Sequence, residues 1–456
     1  MTQSDIPYLY ENTHTDTVED HLLIYVPLSK KGLTVLTNAA AYLFKLIDNK
    51  KTLGDIYESA KKIDPRLSFT QIEKIFEEFY NLDIVYINQP KLKKEGIFEK
   101  SKVLAIWFHI TNQCNLRCTY CFVKKTPEKM TKEIAEQSIK KILNDGKKNG
   151  YSEIRVFFSG GECLLELGLL LHTVEIGRAL AKELNIKVGF SISTNGTLIT
   201  RENARILKEN HITVGVSLDG LENSNDKQRI YRNGSGTFKH VLRGIKHLQS
   251  EKTSFNVMVT ITANNVKDLP KLVKYFFKEN IHFRLNFFQE NLYSPDKLKA
   301  DNKVMISYLK KTYKYIYDNI PNYYIINDLL DRVSFMTPRL SACAIGKDYM
   351  TITQDGKVSS CPMTLKRIIG SVKDDDIIQT MKNGTFVTPK NLTVEGKKTC
   401  NQCQWKYICC GGCPLLTSAH KGTYEANSPN CQIYKALIPE AFKLEAKRLI
   451  RYGLHH

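Results

Sequence analysis

The chain is 456 residues long and 42% hydrophobic, with 66 basic against 47 acidic side chains and a formal charge of +19. That length suits three domains of about 150 residues each, with enough apolar content to fill their cores. Apolar runs such as 164–171 and 212–218 stop well short of the ~18 residues of a membrane span, and residues 1–20 lack the basic and apolar regions of a secretory signal. No membrane helix is therefore expected, and the cytoplasm is the expected location. The positive charge would steer an acidic partner toward the surface, but the lysines are scattered through helical segments rather than gathered in a stripe with interleaved aromatics. That pattern favours an acidic peptide over nucleic acid.

Along the chain, residues 22–87 open with two strand-like runs, LLIYV and LTVL, followed by helical patterns at 38–47, 53–61 and 70–82. The Lys-rich stretch 91–102 reads as a linker. From Val103 the chain alternates strands and helices: VLAIWFHIT, IRVFFS, VGFSIST, ITVGVSL, FNVMVTI and HFRLNFF, with helical segments between them. Six βα units of this kind predict an α/β fold with a parallel sheet, closed into a partial (β/α)6 TIM-like barrel. Beyond residue 310 the alternation fades into cysteines, glycines and short turns up to Cys431, and a helix over 434–449 closes the chain. The expected domains are 1–92, 93–310 and 311–456.

Twelve cysteines in a chain this size fall far below the density of a disulfide scaffold, and clustered cytosolic cysteines usually bind metal. Cys114, Cys118 and Cys121 follow directly on the first barrel strand, at the C-terminal end where parallel barrels keep their chemistry. Three thiolates on one loop can hold three irons of a [4Fe–4S] cube and leave the fourth iron open. A zinc loop with a distant fourth ligand, or buried thiols, would show the same spacing.

The CxxxCxxC spacing, with Tyr120 before the last cysteine, resembles the signature of the radical S-adenosylmethionine superfamily. The likeness continues through Ser159-Gly160-Gly161-Glu162, Ser193-Thr194-Asn195-Gly196 and Ser217-Leu218-Asp219-Gly220, each at a C-terminal strand end. The resemblance implies that the Gly160–Gly161–Glu162 segment holds the methionyl amine of S-adenosylmethionine, with Glu162 as its carboxylate. It implies that Ser193 and Asn195 face ribose or carboxylate, that Ser217 and Asp219 lie at the nucleoside with Asp219 toward a ribose hydroxyl, and that Arg229 pairs with the methionyl carboxylate. Family members usually carry proline after Gly-Gly-Glu, whereas Cys163 stands there in this chain. A small buried residue is the plain reading of that exchange, and an extra ligand or redox thiol the other.

A second set, Cys343, Cys361, Cys400, Cys403, Cys409, Cys413 and Cys431, is similar to the SPASM domain of peptide and protein maturases, which binds two auxiliary [4Fe–4S] clusters. The resemblance assigns Cys400, Cys403, Cys409 and Cys431 to one cluster, and Cys343, Cys361 and Cys413 to the other, which is left one thiolate short. Paired cysteines of this kind also read as zinc sites. Cys410 has no assignment.

Residues 1–92 look like the small winged-helix-like, PqqD-like domain that recognises leader peptides ahead of many peptide maturases. Together these likenesses imply three [4Fe–4S] clusters, S-adenosylmethionine as cofactor, an external electron donor of the flavodoxin or ferredoxin type, and a ribosomally made precursor peptide as partner. The reaction they imply starts from a 5′-deoxyadenosyl radical that takes a hydrogen atom from the bound peptide. A thioether crosslink from a substrate cysteine is the favoured outcome, because an open auxiliary iron could hold that thiolate. Carbon–carbon crosslinking and the formylglycine chemistry of an anaerobic sulfatase maturase are the rivals. A non-catalytic iron–sulfur electron carrier would explain the cysteines but has no use for Glu162, Asn195 and Arg229.

Overall fold

In the computed structural model, the structure describes residues 1–29, 32–88, 98, 101–291, 294–295, 297–383 and 392–453. Most of the Lys-rich 91–102 stretch lies outside the described residues. The chain divides into two compact units: Met1–Glu99 with Lys310–Ala342 and Leu392–His456, and Lys100–Leu309 with Cys343–Asn391.

The first unit begins with β1 (Pro7–Leu9), β2 (His14–Val18), β3 (His21–Tyr25), β4 (Leu33–Leu36), the helices α1 (Asn38–Lys45), α2 (Leu53–Lys61) and α3 (Phe69–Asn81), and β5 (Val85–Ile87). β2, β3 and β4 form an antiparallel sheet in that order, and β1 pairs with β5. Reciprocal caps start α2 and α3: Thr52 with Asp55, and Ser68 with Gln71. Each satisfies two backbone N–H groups that a helix start leaves unpaired. The apolar faces of the three helices then bury Leu53, Ile56, Ile72, Phe76 and Phe79 in one core. The three expected helices are present to within about a turn. β2 has no apolar alternation and was not expected; its pairing with β3, Asp16 opposite Leu23, creates it.

The second unit carries β6 (Val103–Thr111), α4 (Lys132–Lys148), β7 (Glu153–Gly160), α5 (Leu167–Glu183), β8 (Lys187–Thr194), α6 (Arg201–Glu209), β9 (Ile212–Ser217), α7 (Glu222–Asp226), α8 (Phe238–Ser250), β10 (Phe255–Ile261), α9 (Leu269–Lys278) and β11 (Phe283–Phe287). The helix α10 (Asn302–Asp318) crosses the division. Later in the chain come β12 (Tyr349–Ile352), β13 (Lys357–Ser359), β14 (Ile368–Ser371) and α11 (Ile377–Asn383). The sheet order is β11-β10-β9-β8-β7-β6-β12-β13-β14, with β6 to β11 parallel throughout. This is the partial (β/α)6 barrel sheet that the alternating pattern predicts. One face of each strand is apolar and packed under helices, as with Leu104, Ile106 and Phe108 on β6. Helices approach closely where glycine permits it: a Cβ at Gly177 of α5 would meet Phe190 at 2.7 Å. The opposite face carries Trp107, His109, Ser159, Ser193 and Ser217.

The strands after residue 343 extend this same sheet, β12 running parallel to β6 with Tyr349 opposite Ala105. The first unit is completed by α12 (Lys406–Cys409), α13 (Pro414–Lys421) and α14 (Cys431–Tyr452). There α14 packs on the N-terminal sheet, with the Phe442 ring 4.6 Å from that of Tyr25 and 5.7 Å from that of Trp405. Lys443 pairs with Asp16 at 3.1 Å, and Lys447 pairs with Glu19. No helix among the described residues is long and apolar enough to cross a membrane.

Candidate functional site

β6 delivers the chain to the cysteine loop, and segments distant in sequence hold that loop in place. Gly161 N–H donates to the Thr111 carbonyl at 2.7 Å and Glu162 N–H to the Gln113 carbonyl at 2.8 Å. Both glycines are needed for this approach. A Cβ at Gly161 would lie 1.9 Å from the Gln113 oxygen, while Gly160 has φ +138 and a Cβ there would sit 2.2 Å from the Thr111 oxygen. From another side, Arg117 N–H donates to the Ile230 carbonyl and Thr119 N–H to the Gln228 carbonyl. Asn195 bridges a third side, donating to Asn115 Oδ1 at 2.9 Å, with its Nδ2 3.9 Å from Cys114 Sγ.

The three thiols differ in their surroundings. Cys114 Sγ accepts the Leu116 N–H at 3.3 Å, and Lys125 Nζ donates to Cys121 Sγ at 3.1 Å. Burial pushes the Cys118 thiol up to about 11, with the Arg229 charge pulling against it. Ligation by a metal cluster reverses that balance, because a coordinating thiol is deprotonated outright.

Glu162 is fully buried and accepts three hydrogen bonds: Thr194 Oγ1 at 2.7 Å, Asn195 N–H at 2.7 Å and Leu164 N–H at 3.1 Å. Burial raises its pKa, opposed by those bonds. Among the described residues it forms no salt bridge, though the Arg229 charge acts on it from a distance, and the carboxylate keeps roughly one acceptor position, which suits an ammonium ligand.

Arg229 is 6% exposed, and its Nε is buried without a partner. Its Nη1 donates to the Tyr120 hydroxyl and lies 3.6 Å from Asp219 Oδ2. Tyr120 in turn donates to Asp219 Oδ2 at 2.6 Å, and Thr260 N–H donates to Asp219 Oδ1 at 2.8 Å. The fully buried Asp219 thus fixes Tyr120 and Arg229, leaving the guanidinium Nε–H without a partner. Ser193 and Ser217 sit half-buried at the ends of β8 and β9. The Cys163 thiol is fully buried and donates to the Ser193 carbonyl at 3.4 Å, and burial drives its pKa well up. It behaves as a packed, unreactive thiol.

The C-terminal set is assembled differently. Cys400, Cys403, Cys409 and Cys431 line one cavity, together with Trp405, Gly411 and Tyr434. Cys400 and Cys403 lie on consecutive turns, Cys409 ends α12, and Cys431 begins α14. Burial pushes the Cys409 thiol up to about 12. These are the four residues that the sequence pattern groups together. Cys410, next in line, adopts a left-handed backbone with φ +49 and turns its thiol to the Arg339 carbonyl at 3.0 Å. Cys361 follows β13 and Cys343 precedes β12 in the barrel unit, while Cys413 caps the start of α13 in the other unit. Sequence spacing did not disclose two lysines beside these cysteines, Lys125 and the buried Lys397.

Residues 108–276 match the Radical SAM superfamily, and residues 343–404 match the SPASM iron–sulfur cluster-binding domain. A cysteine-type anaerobic sulfatase-maturating enzyme of Clostridium perfringens is 27% identical over 356 residues, covering 72% of this chain and 93% of that protein. The radical SAM cyclopropyl synthase TigE of Paramaledivibacter caminithermalis is 22% identical over 464 residues, 93% of each chain. A solved structure described as native anSMEcpe with bound AdoMet and Cp18Cys peptide superposes with a TM-score of 0.64 at 25% identity, covering 76% of this chain and 99% of that one.

The chain is a radical SAM enzyme, with [4Fe–4S] clusters and S-adenosylmethionine as its cofactors. More particularly, it joins the radical SAM domain to a SPASM iron–sulfur cluster-binding domain. The side chains fit these groups. The barrel triad would hold the open cluster, the Glu162 carboxylate the methionyl amine, and the unpartnered Arg229 Nε–H the methionyl carboxylate. When bound, the cluster and S-adenosylmethionine supply a 5′-deoxyadenosyl radical that abstracts hydrogen. The chain's own residues bind and orient: Asn195 braces the loop at Asn115, Tyr120 and Asp219 aim Arg229, and the apolar residues under the helices keep that framework rigid.

Proposed function

We propose that this enzyme oxidises a cysteine side chain of a peptide or protein substrate, in the manner of the anaerobic sulfatase maturases. The observation that carries this reading is the extent of the likeness: 93% of the Clostridium perfringens enzyme aligns, and the matching solved structure holds a cysteine-named peptide beside AdoMet. In net terms the side chain loses two electrons and two protons, one S-adenosylmethionine is reductively cleaved, and water converts the oxidised carbon to an aldehyde with release of sulfide. This replaces the thioether crosslink as the leading reading.

A second reading rests on the N-terminal region. The likeness to the cyclopropyl synthase spans 93% of each chain, whereas that to the sulfatase maturase leaves about a quarter of this chain unmatched. In this reading residues 1–92 capture the leader of a precursor peptide by adding it as a strand to the β2-β3-β4 sheet, and the product is a crosslinked peptide. A flavodoxin- or ferredoxin-type donor supplies electrons in both readings.

One experiment separates them. Reduced enzyme is incubated with S-adenosylmethionine and two cysteine-bearing peptides, a sulfatase-type segment and a leader-bearing precursor encoded beside this gene. A hydrazine-reactive aldehyde with loss of sulfur supports the first reading. A product two hydrogens lighter, with its cysteine blocked to alkylation and no aldehyde, would replace it with the second.

A further inference from the structure

Lys397 is a buried lysine without a counter-ion. Its side chain is 3% exposed, and its Nζ has no hydrogen-bond partner. Among the described residues no carboxylate forms an ion pair with it. Its carbonyl accepts the N–H groups of Cys400 at 2.9 Å and Asn401 at 3.0 Å, which ties the residue to the loop that opens the four-cysteine cavity. The ammonium lies against Gly411, where a Cβ would come 2.8 Å from Nζ, and Gly411 lines that same cavity. The thiols that feel its charge are Cys400, Cys409, Cys410 and Cys413.

An isolated ammonium is costly to bury unless a negative charge compensates it. A cube of four irons held by four thiolates is net negative, gains a further negative charge on reduction, and offers sulfur acceptors to a compact three-proton donor. We propose that Lys397 is the resident counter-charge of the auxiliary cluster held by Cys400, Cys403, Cys409 and Cys431, and that it raises that cluster's reduction potential. Net charge and hydrogen bonds to sulfur are two of the levers that set such potentials. Lys397 is a tuning residue that touches no substrate, so its loss should appear first in the potential.

The test is an anaerobic redox titration followed by electron paramagnetic resonance, on full-length reconstituted protein carrying Cys114→Ala, Cys118→Ala and Cys121→Ala. The signal of the four-cysteine cluster is the one that Cys403→Ala removes. With Lys397→Met, the ratio of reduced to oxidised cluster at a fixed potential should fall at least tenfold, a shift of about 59 mV for one electron. Lys397→Arg should stay within about threefold of the parent. Should the Met variant lose this cluster's iron, retention by the Arg variant would still support the proposal, because charge alone then decides assembly. An unchanged midpoint in a fully loaded Met variant, or iron loss in both variants, would overturn it. Absence of any auxiliary iron in the parent would overturn it too, and the metal analysis would trace that failure to the cluster assignment.

Discussion

The two cysteine regions are assembled by opposite routes. On the barrel, the thiols of one short loop are braced by backbone from 111–113, 160–162 and 228–231, and two charged groups beside them, Glu162 and Arg229, keep unused hydrogen-bonding capacity. In the C-terminal region the cysteines are mostly local, 400–409 with Cys431, Lys406 and Lys435 line the same pocket, and the buried Lys397 lies against its Gly411. A site that must admit and release a small molecule reserves groups for it. A closed site needs only its charge balanced.

The comparison is broken most severely by removing thiols. Cys114→Ala, Cys118→Ala and Cys121→Ala together should remove about four of roughly twelve irons and all 5′-deoxyadenosine formation, while the auxiliary irons remain. Metal analysis and chromatography of the nucleoside read both effects. Next in size is Gly161→Ala. A methyl 1.9 Å from the Gln113 oxygen must displace the loop, so 5′-deoxyadenosine formation should fall by about a hundredfold or more at unchanged auxiliary iron.

Glu162→Gln sharpens the contrast by neutralising a group reserved for the cofactor. A lost charge-assisted hydrogen bond should raise the KM for S-adenosylmethionine by about 10- to 100-fold. The smallest effect is expected from Lys125→Met. The Lys125 ammonium reaches Cys121 Sγ at 3.1 Å but is half-exposed, so solvent screens it. The barrel cluster should become harder to reduce by only a few-fold in the reduced-to-oxidised ratio, less than Lys397→Met causes at the enclosed site.

Much of this was legible in the sequence. The six barrel strands announce themselves because each must pack an apolar face under helices, and the cysteine spacings survive any detail of packing. The likeness to the SPASM pattern groups Cys400, Cys403, Cys409 and Cys431, and these four line one cavity. β12, β13 and β14 were not legible, because strands of three or four residues exist by pairing rather than by pattern. β2, with the sequence HTDTV, has no apolar period at all. Nor does spacing reveal that Asp219 spends its oxygens on Tyr120 and Thr260, or which lysine among 66 basic residues is buried without a partner.

The packing of α14 on the N-terminal sheet also constrains how the chain is made. Tyr25 is covered by Phe442, more than four hundred residues later, and His14 meets Trp405 at 4.8 Å between ring centroids. At translation rates of about 5–20 residues per second, the interval from residue 99 to residue 431 lasts roughly 20–60 s. Through that interval the β2-β3-β4 sheet lacks its Phe442 contact, and the helix that supplies it begins at Cys431. One helix, α14, thus both covers the N-terminal sheet and carries Cys431, the last in the chain of the four cysteines that line one pocket.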